Sequence, residues 1–190
     1  MASPSASSYG SGTPPPQSTP LSPKYLFGGD RRWDSSQWTD SDDRVRGGRS
    51  QSHLTVSRVG AATRAEFSGH LDTSALGGAG FASQRTVDDL CCWDLSGYES
   101  LTLDVAEADE KRYTLILKDT ILSRRDDGRE QSTVSWEYDF TVGTVGGNAG
   151  STTVVMPLAD FQPTYRGRPK PDATPLDLSK VKRITFMMRR

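Results

Sequence analysis

The sequence predicts an all-β fold, a sandwich or jelly roll, and three observations point there. Short runs of alternating apolar and polar residues recur at intervals of roughly ten residues. Turn-forming residues separate them, the 190 residues including 18 Gly and 11 Pro. Helix signals are confined to two stretches of one turn each, Leu158 to Phe161 and Asp177 to Lys180.

The strands can be taken in order, because side chains two apart on a strand share a face. Ser52 to Val59 places Leu54 and Val56 opposite Thr55 and Ser57. Ala65 to Leu71, around Phe67, is the next. Gly77-Gly78-Ala79-Gly80 interrupts the pattern and Phe81 to Thr86 resumes it. Leu101, Leu103 and Val105 face away from Thr102 and Asp104. Tyr113, Leu115 and Leu117 repeat that alternation, as do Val134, Trp136, Tyr138 and Phe140 with a shift in phase. Thr153 to Met156 is a short apolar run that Pro157 ends, since proline has no N–H to give a ladder. Val181 to Met188 is the last strand, with Ile184 and Phe186 on one face. Gly143 to Ser151 has no packing potential and reads as a mobile loop.

The length allows one domain and a tail. Residues 1–24 are Ser, Pro, Gly and Ala with almost no large apolar group, so they are expected to form a disordered tail. Pro14 to Pro16 would favour polyproline II. The folded domain is expected over residues 25–190, starting where Tyr25, Leu26, Phe27, Trp33 and Trp38 appear. Twenty-three Lys and Arg against 24 Asp and Glu leave a net charge of −1, which calls for neither nucleic acid nor an anionic membrane as partner. No apolar run nears the roughly 20 residues of a membrane span. Residues 1–23 are Ser-rich and free of acidic residues, as a transit peptide is, but they also lack any Arg or Lys, so no clear transit peptide is read. Cys91 and Cys92 are adjacent and cannot form an ordinary bridge. They are expected to be two partly buried structural thiols in a reducing compartment.

Catalytic constellations are scarce, and an enzyme is not expected. His53 and His70 have no Cys/His cluster around them and read as surface or satisfied side chains. No cofactor or metal is expected. The glycine pairs Gly28-Gly29, Gly47-Gly48 and Gly77-Gly78 match no phosphate-loop pattern and read as tight turns. Carboxylates are plentiful, but neighbours such as Asp42 and Asp43 on a strand would point to opposite faces.

Two stretches stand out as candidates for binding. Ser41 to Ser52 packs charges, glycines and hydroxyls ahead of a strand, offering Asp42, Arg44, Arg46 and Ser50 either as a polar site or as a self-satisfied ion-pair turn. Phe161 to Lys170 is a basic loop stiffened by proline, offering Tyr165, Arg166 and Arg168 as carboxylate forks or interface anchors. Ser123 to Arg129 reads as a solvated, charged hairpin tip. A carbohydrate-binding module would need an exposed aromatic, with Trp38 and Trp136 as its candidates, and Trp136 reads more readily as core.

The segments Ser41-Asp42-Asp43-Arg44-Val45-Arg46-Gly47-Gly48-Arg49-Ser50, Phe67-Ser68-Gly69-His70-Leu71 and Gly77-Gly78-Ala79-Gly80-Phe81-Ala82-Ser83 occur in that order. Trp93 to Tyr98, Tyr113 to Leu115, Phe161 to Arg168 and Lys182 to Met188 follow. This series, running from about Phe27, resembles the complex I intermediate-associated protein 30 family. The resemblance implies a galactose-binding-like jelly-roll β-sandwich. It implies a non-catalytic assembly factor for mitochondrial NADH:ubiquinone oxidoreductase, with complex I subunits or intermediates as protein partners. It brings no catalytic residues and leaves a small polar or sugar-like ligand open, as the fold hosts many functions. The family pattern continues beyond the last strand with a Gly-containing loop and one more strand, so a sandwich lacking that strand and exposing an unpaired edge is expected. Mitochondrial location follows from the resemblance, with a cytoplasmic binding module as the alternative.

Overall fold

A computed structural model describes residues 22–75, 77–87, 92–143 and 150–189. The tail expected over residues 1–24 lies largely outside the described residues, as do residues 144–149 of the expected Gly-rich loop and Cys91.

The described residues form eleven strands joined by turns and 3-10 helices: β1 Trp38–Asp40, β2 Gln51–Val59, β3 Ala62–His70, β4 Phe81–Thr86, β5 Ser100–Val105, β6 Arg112–Lys118, β7 Ser135–Thr141, β8 Thr152–Pro157, β9 Gln162–Tyr165, β10 Arg168–Pro169 and β11 Arg183–Arg189. Seven make one antiparallel sheet in the order β1-β4-β11-β6-β7-β9-β10. The hairpin β2–β3 and the pair β5–β8 are separate two-stranded ladders. Their inward residues Leu54, Leu101 and Leu103 join the same core as Leu115, Leu117 and Ile184 of the large sheet. The result is two layers around one core, the all-β sandwich expected.

Alternation decides which side chains enter that core. On β6, Tyr113, Leu115 and Leu117 face inward, and Leu117 is completely buried, worth about 2 kcal/mol of transfer free energy. Ile184 and Phe186 do the same on β11. Phe27, Trp33 and Phe186 surround the Trp38 ring with centroids 5.0–5.8 Å away, and Trp93 packs against Phe27 at 5.9 Å. Trp38 is therefore core, not an exposed platform for a sugar, because its β1 register turns the indole towards Phe186. Trp136 is half-buried against the same core.

Three expectations change. The segment 161–170 is not a loop: β9 and β10 pair as a hairpin, with Tyr165 opposite Arg168. Cys92 is exposed and free, not partly buried. Trp93 bridges Val181 through two backbone hydrogen bonds of 2.8 and 3.0 Å, and the turning of its indole into the core sends the preceding side chain outward. Asp42 and Asp43 leave the strand geometry, since a 3-10 turn begins at Asp43, so both carboxylates point inward. The last strand, β11, lies inside the large sheet. β11 pairs with β4 on one side and β6 on the other, so the strands with one partner belong to β2–β3, β5–β8 and the ends of the large sheet.

Candidate functional site

The two carboxylates that follow β1 are the most buried charges among the described residues, with Asp42 2% and Asp43 0% exposed. A buried carboxylate is tolerable only when donors surround it. Asp42 accepts from Ser52 N (3.0 Å), Ser52 Oγ (2.6 Å) and Ser83 N (2.9 Å). Asp43 accepts from Ser50 N (3.0 Å), Ser50 Oγ (2.8 Å) and Phe81 N (3.2 Å). The pair thus ties the turn after β1 to the start of β2 and to β4. Ser50 is itself fully buried.

Three glycines make room for this knot. A Cβ on Gly48 would stand 2.2 Å from Asp43 Cγ. One on Gly69 would stand 2.1 Å from the Gln51 carbonyl, and one on Gly80 2.4 Å from the Asp72 carbonyl. Such approaches admit no side chain. The segments Ser41 to Ser52, Phe67 to Leu71 and Gly77 to Ser83 therefore converge in space, and what they build is largely a fastening of β1, β2, β3 and β4.

Arg44 and Arg46 lie on the outside of the knot. Arg44 pairs with Asp40 and reaches Asp42 at 3.3 Å. Arg46 lies over the Phe81 ring, 5.6 Å from its centroid. Val45 between them is among the most exposed large apolar residues, at 77%.

Tyr165, Arg166 and Arg168 sit at the β9–β10 turn, at the opposite edge of the seven-stranded sheet. Arg166 (φ 54°) and Gly167 (φ 73°) are both left-handed, the backbone that a tight two-residue hairpin turn requires. Arg166 stacks over Tyr165 at 5.4 Å and donates to Ser132 Oγ at 3.3 Å. Tyr165 is 38% exposed. Six strand spacings separate β1 from β10, on the order of 30 Å at about 4.8 Å each. The structure therefore brings Asp42 and Ser50 together with Arg44 and Arg46, and Tyr165 together with Arg166 and Arg168, but keeps the two groups apart.

A third group was not visible in the sequence. On the outer face of the large sheet, Glu130 joins two nearly buried arginines, Oε1 to Arg85 Nη2 at 2.5 Å and Oε2 to Arg183 Nη1 at 2.8 Å. Lys118, the register partner of Arg183, lies beside them and donates to Thr133 Oγ1 at 3.0 Å. Burial, reinforced by the nearby Arg183 charge, pulls the Lys118 ammonium down to about 8. Arg189 lies 2.7 Å from the buried Oε2 of Glu137, an ion pair by distance that is not aligned as a hydrogen bond. Only the chain fold unites these residues, which stand 45 and 53 positions from Glu130 in the case of Arg85 and Arg183.

Residues 25–190 match the family described as Complex I intermediate-associated protein 30 (CIA30). The chain belongs to that family. An uncharacterized protein of Schizosaccharomyces pombe is 41% identical over 165 residues, covering 86% of this chain and 74% of the relative. The CIA30 match spans the knot, the hairpin and the outer-face cluster alike.

Among the described residues of the CIA30 domain, little resembles a small-molecule site. A shallow hollow of about 90 Å³ lies beside the β2–β3 turn between Arg32, Arg58 and Thr63. Sites for drug-sized ligands begin near 300 Å³. Among the described residues, no group of three or more His, Cys, Asp or Glu is placed to hold a metal ion. His53 and His70 are exposed on β2 and β3. No helix of the described residues is long and apolar enough to cross a membrane.

Proposed function

We propose that this CIA30 protein is a non-catalytic assembly factor for mitochondrial respiratory complex I, NADH:ubiquinone oxidoreductase, and that it holds assembly intermediates by protein–protein contact. The observation that carries this reading is the CIA30 match across residues 25–190. The surface chemistry supports it. Tyr165 and Arg166 form a stacked, exposed pair on a stiff hairpin, the residue types that dominate interface energetics. Arg168 extends the same tip. Arg44 and Arg46 offer a second contact at the far edge, Arg44 paired with the buried Asp42 and Arg46 lying over Phe81. The protein acts in the mitochondrion on this reading, and its partners are complex I subunits or partly assembled complex.

The test is deletion of the gene in a host that has complex I, with the mature complex followed on native gels. Loss of the complex with accumulation of intermediates, restored by residues 1–190, is the expected result. An unchanged complex I profile would sink the reading.

A further inference from the structure

The inner face of the β2–β3 hairpin runs past the core it covers. Register sets Leu54 opposite Phe67, Val56 opposite Ala65 and Arg58 opposite Thr63, so these six side chains share one face. Leu54 and Val56 pack on the core, whereas Arg58, next in the same row, is exposed. A charge at an inward position is tolerable there because the hairpin overhangs the rim of the sandwich and water reaches the side chain. Beneath the overhang lies the hollow of about 90 Å³, lined by Arg32, Arg58, Gly60, Ala61, Ala62 and Thr63.

The two cations of the hollow have no counter-charge of their own. Among the described residues, neither Arg32 nor Arg58 has a carboxylate within ion-pairing distance, and no acidic side chain lines the hollow. Asp34, two positions from Arg32, accepts instead from the Ser36 N–H at 2.9 Å and the Ser36 Oγ at 2.8 Å. Glu66, the acid of β3, lies on the opposite face of the hairpin. The hollow is also held in shape. The Trp33 N–H donates to Thr63 Oγ1 at 2.8 Å and the Trp33 ring stacks on Phe27 at 5.1 Å, which fixes the backbone beside Arg32 against β3. Thr63 Oγ1 is the acceptor in that bond, so its own hydroxyl proton is free to donate. Gly60, Ala61 and Ala62 have no side chain long enough to fill the space.

We propose that this hollow binds the phosphate group of a phosphomonoester. Two guanidinium forks and one hydroxyl converge on a single small space, which suits the three terminal oxygens of a phosphate better than the two of a carboxylate. The guanidinia stay protonated, so the site favours the phosphate dianion. A space this far below that of a drug-sized site takes the phosphate and leaves the esterified group outside, over the exposed turn at Gly60 and Ala61. A soluble phosphomonoester and a lipid headgroup offer the same group. The site uses none of the residues assigned to partner contact, so it stands whether or not the assembly reading does.

The probe is methyl phosphate, titrated into the purified chain by calorimetry at low salt, where screening is weakest. Saturable binding is expected. Arg32→Gln and Arg58→Gln are each expected to weaken it about tenfold, as loss of a charge-assisted hydrogen bond does. Arg64→Gln removes the same charge from the outer face of β3 and is expected to leave affinity within about twofold. No saturable binding, equal weakening by all three variants, or succinate binding as tightly as methyl phosphate would each overturn the proposal. Flotation with phosphatidylcholine vesicles containing phosphatidic acid separates the two sources. Vesicle binding that Arg58→Gln abolishes assigns the site to a lipid headgroup, and methyl phosphate binding without vesicle binding assigns it to a soluble ligand. A further measurement needs no variant. In NMR spectra of the unaltered chain, methyl phosphate should shift the Nε–H signals of Arg32 and Arg58 and the backbone N–H signals from Gly60 to Thr63. Shifts spread over the arginines in general would mean diffuse charge attraction and would refute the site.

Discussion

A Cβ on Gly48 would stand 2.2 Å from Cγ of Asp43, so the carboxylate occupies the space that any other residue at 48 would need. The Gly48 N–H also donates to the Asp43 carbonyl at 3.1 Å, which keeps the two residues in register and leaves the backbone little room to retreat. Gly48→Ala is expected to push Asp43 away from Ser50 and cost about 2–4 kcal/mol, from overpacking together with weakened buried hydrogen bonds. Gly60→Ala provides the contrast. Gly60 has a φ of 63° with open space around it, so only backbone strain of about 1 kcal/mol applies. Urea unfolding of both variants checks this, and equal shifts in midpoint would remove the packing argument.

The second carboxylate of the knot separates charge from hydrogen bonding. Asp42 takes donors at both oxygens, Ser52 Oγ and Ser83 N at Oδ1, Ser52 N and Arg44 at Oδ2. Asp42→Asn turns one acceptor into a donor that faces other donors. It is expected to lower stability by about 3 kcal/mol, in the range for breaking a buried charged network. Ser52→Ala removes one hydroxyl and leaves the backbone donor, with an expected loss of about 1–2 kcal/mol. Thermal unfolding of the two should rank them in that order.

The strands were legible because burial on one face writes a period of two into the chain. Leu54, Leu115 and Ile184 each sit in the core where alternation puts them. The turns at Leu158–Asp160 and Leu178–Lys180 were also legible, one following a strand-ending proline and the other capped by Asp177. The pairing of β9 with β10 was not, because its turn places an arginine rather than the usual asparagine at a positive φ. Trp38 could not be told from an exposed ring by sequence, since its burial depends on Phe27 and Phe186 arriving from distant segments. Of the candidate sites, the chemistry of Asp42 and Ser50 was visible as an unusual cluster, but whether they served a ligand or one another depended on Ser83 and Phe81 from β4. Glu130 carried no local signal at all. In its own neighbourhood it is one charge in a polar stretch, and its meaning comes from two arginines that the sheet places side by side.

Lys118 predicts a dependence on alkaline pH with a definite sign. Its proton is bound less tightly in the folded chain, about 8 against an ordinary 10.5. Below about pH 8 the group is charged in both states, and the folded state bears the desolvation cost. Between about 8 and 10.5 the unfolded chain binds more protons than the folded one, so stability contributed by this group rises with pH. The cost relieved is about 3 kcal/mol at most. Lys118→Met should therefore stabilise the chain at pH 7 by about 1–3 kcal/mol, reduced by loss of the Thr133 hydrogen bond. The gain should shrink as pH rises towards 10.5. Chemical denaturation of both chains across that range tests it, and a gain that grows with pH would contradict the assignment.

Arg166 allows stability and partner contact to be separated at a single position. Its φ of 54°, followed by Gly167 at 73°, matches the two-residue turn for which Asn-Gly is the favoured pair. Arginine is there at the expense of backbone strain, and its side chain is spent on Tyr165 and Ser132. Arg166→Asn is expected to preserve the hairpin and raise stability by about 0.5–1 kcal/mol, as relief of a strained left-handed residue does. The same variant should weaken co-purification of complex I subunits, because it removes a guanidinium from the exposed tip. A destabilised variant would mean that the stacking on Tyr165 outweighs the turn strain. Full co-purification from a stabilised variant would take this hairpin out of the partner surface and leave the Arg44–Arg46 edge as the remaining candidate.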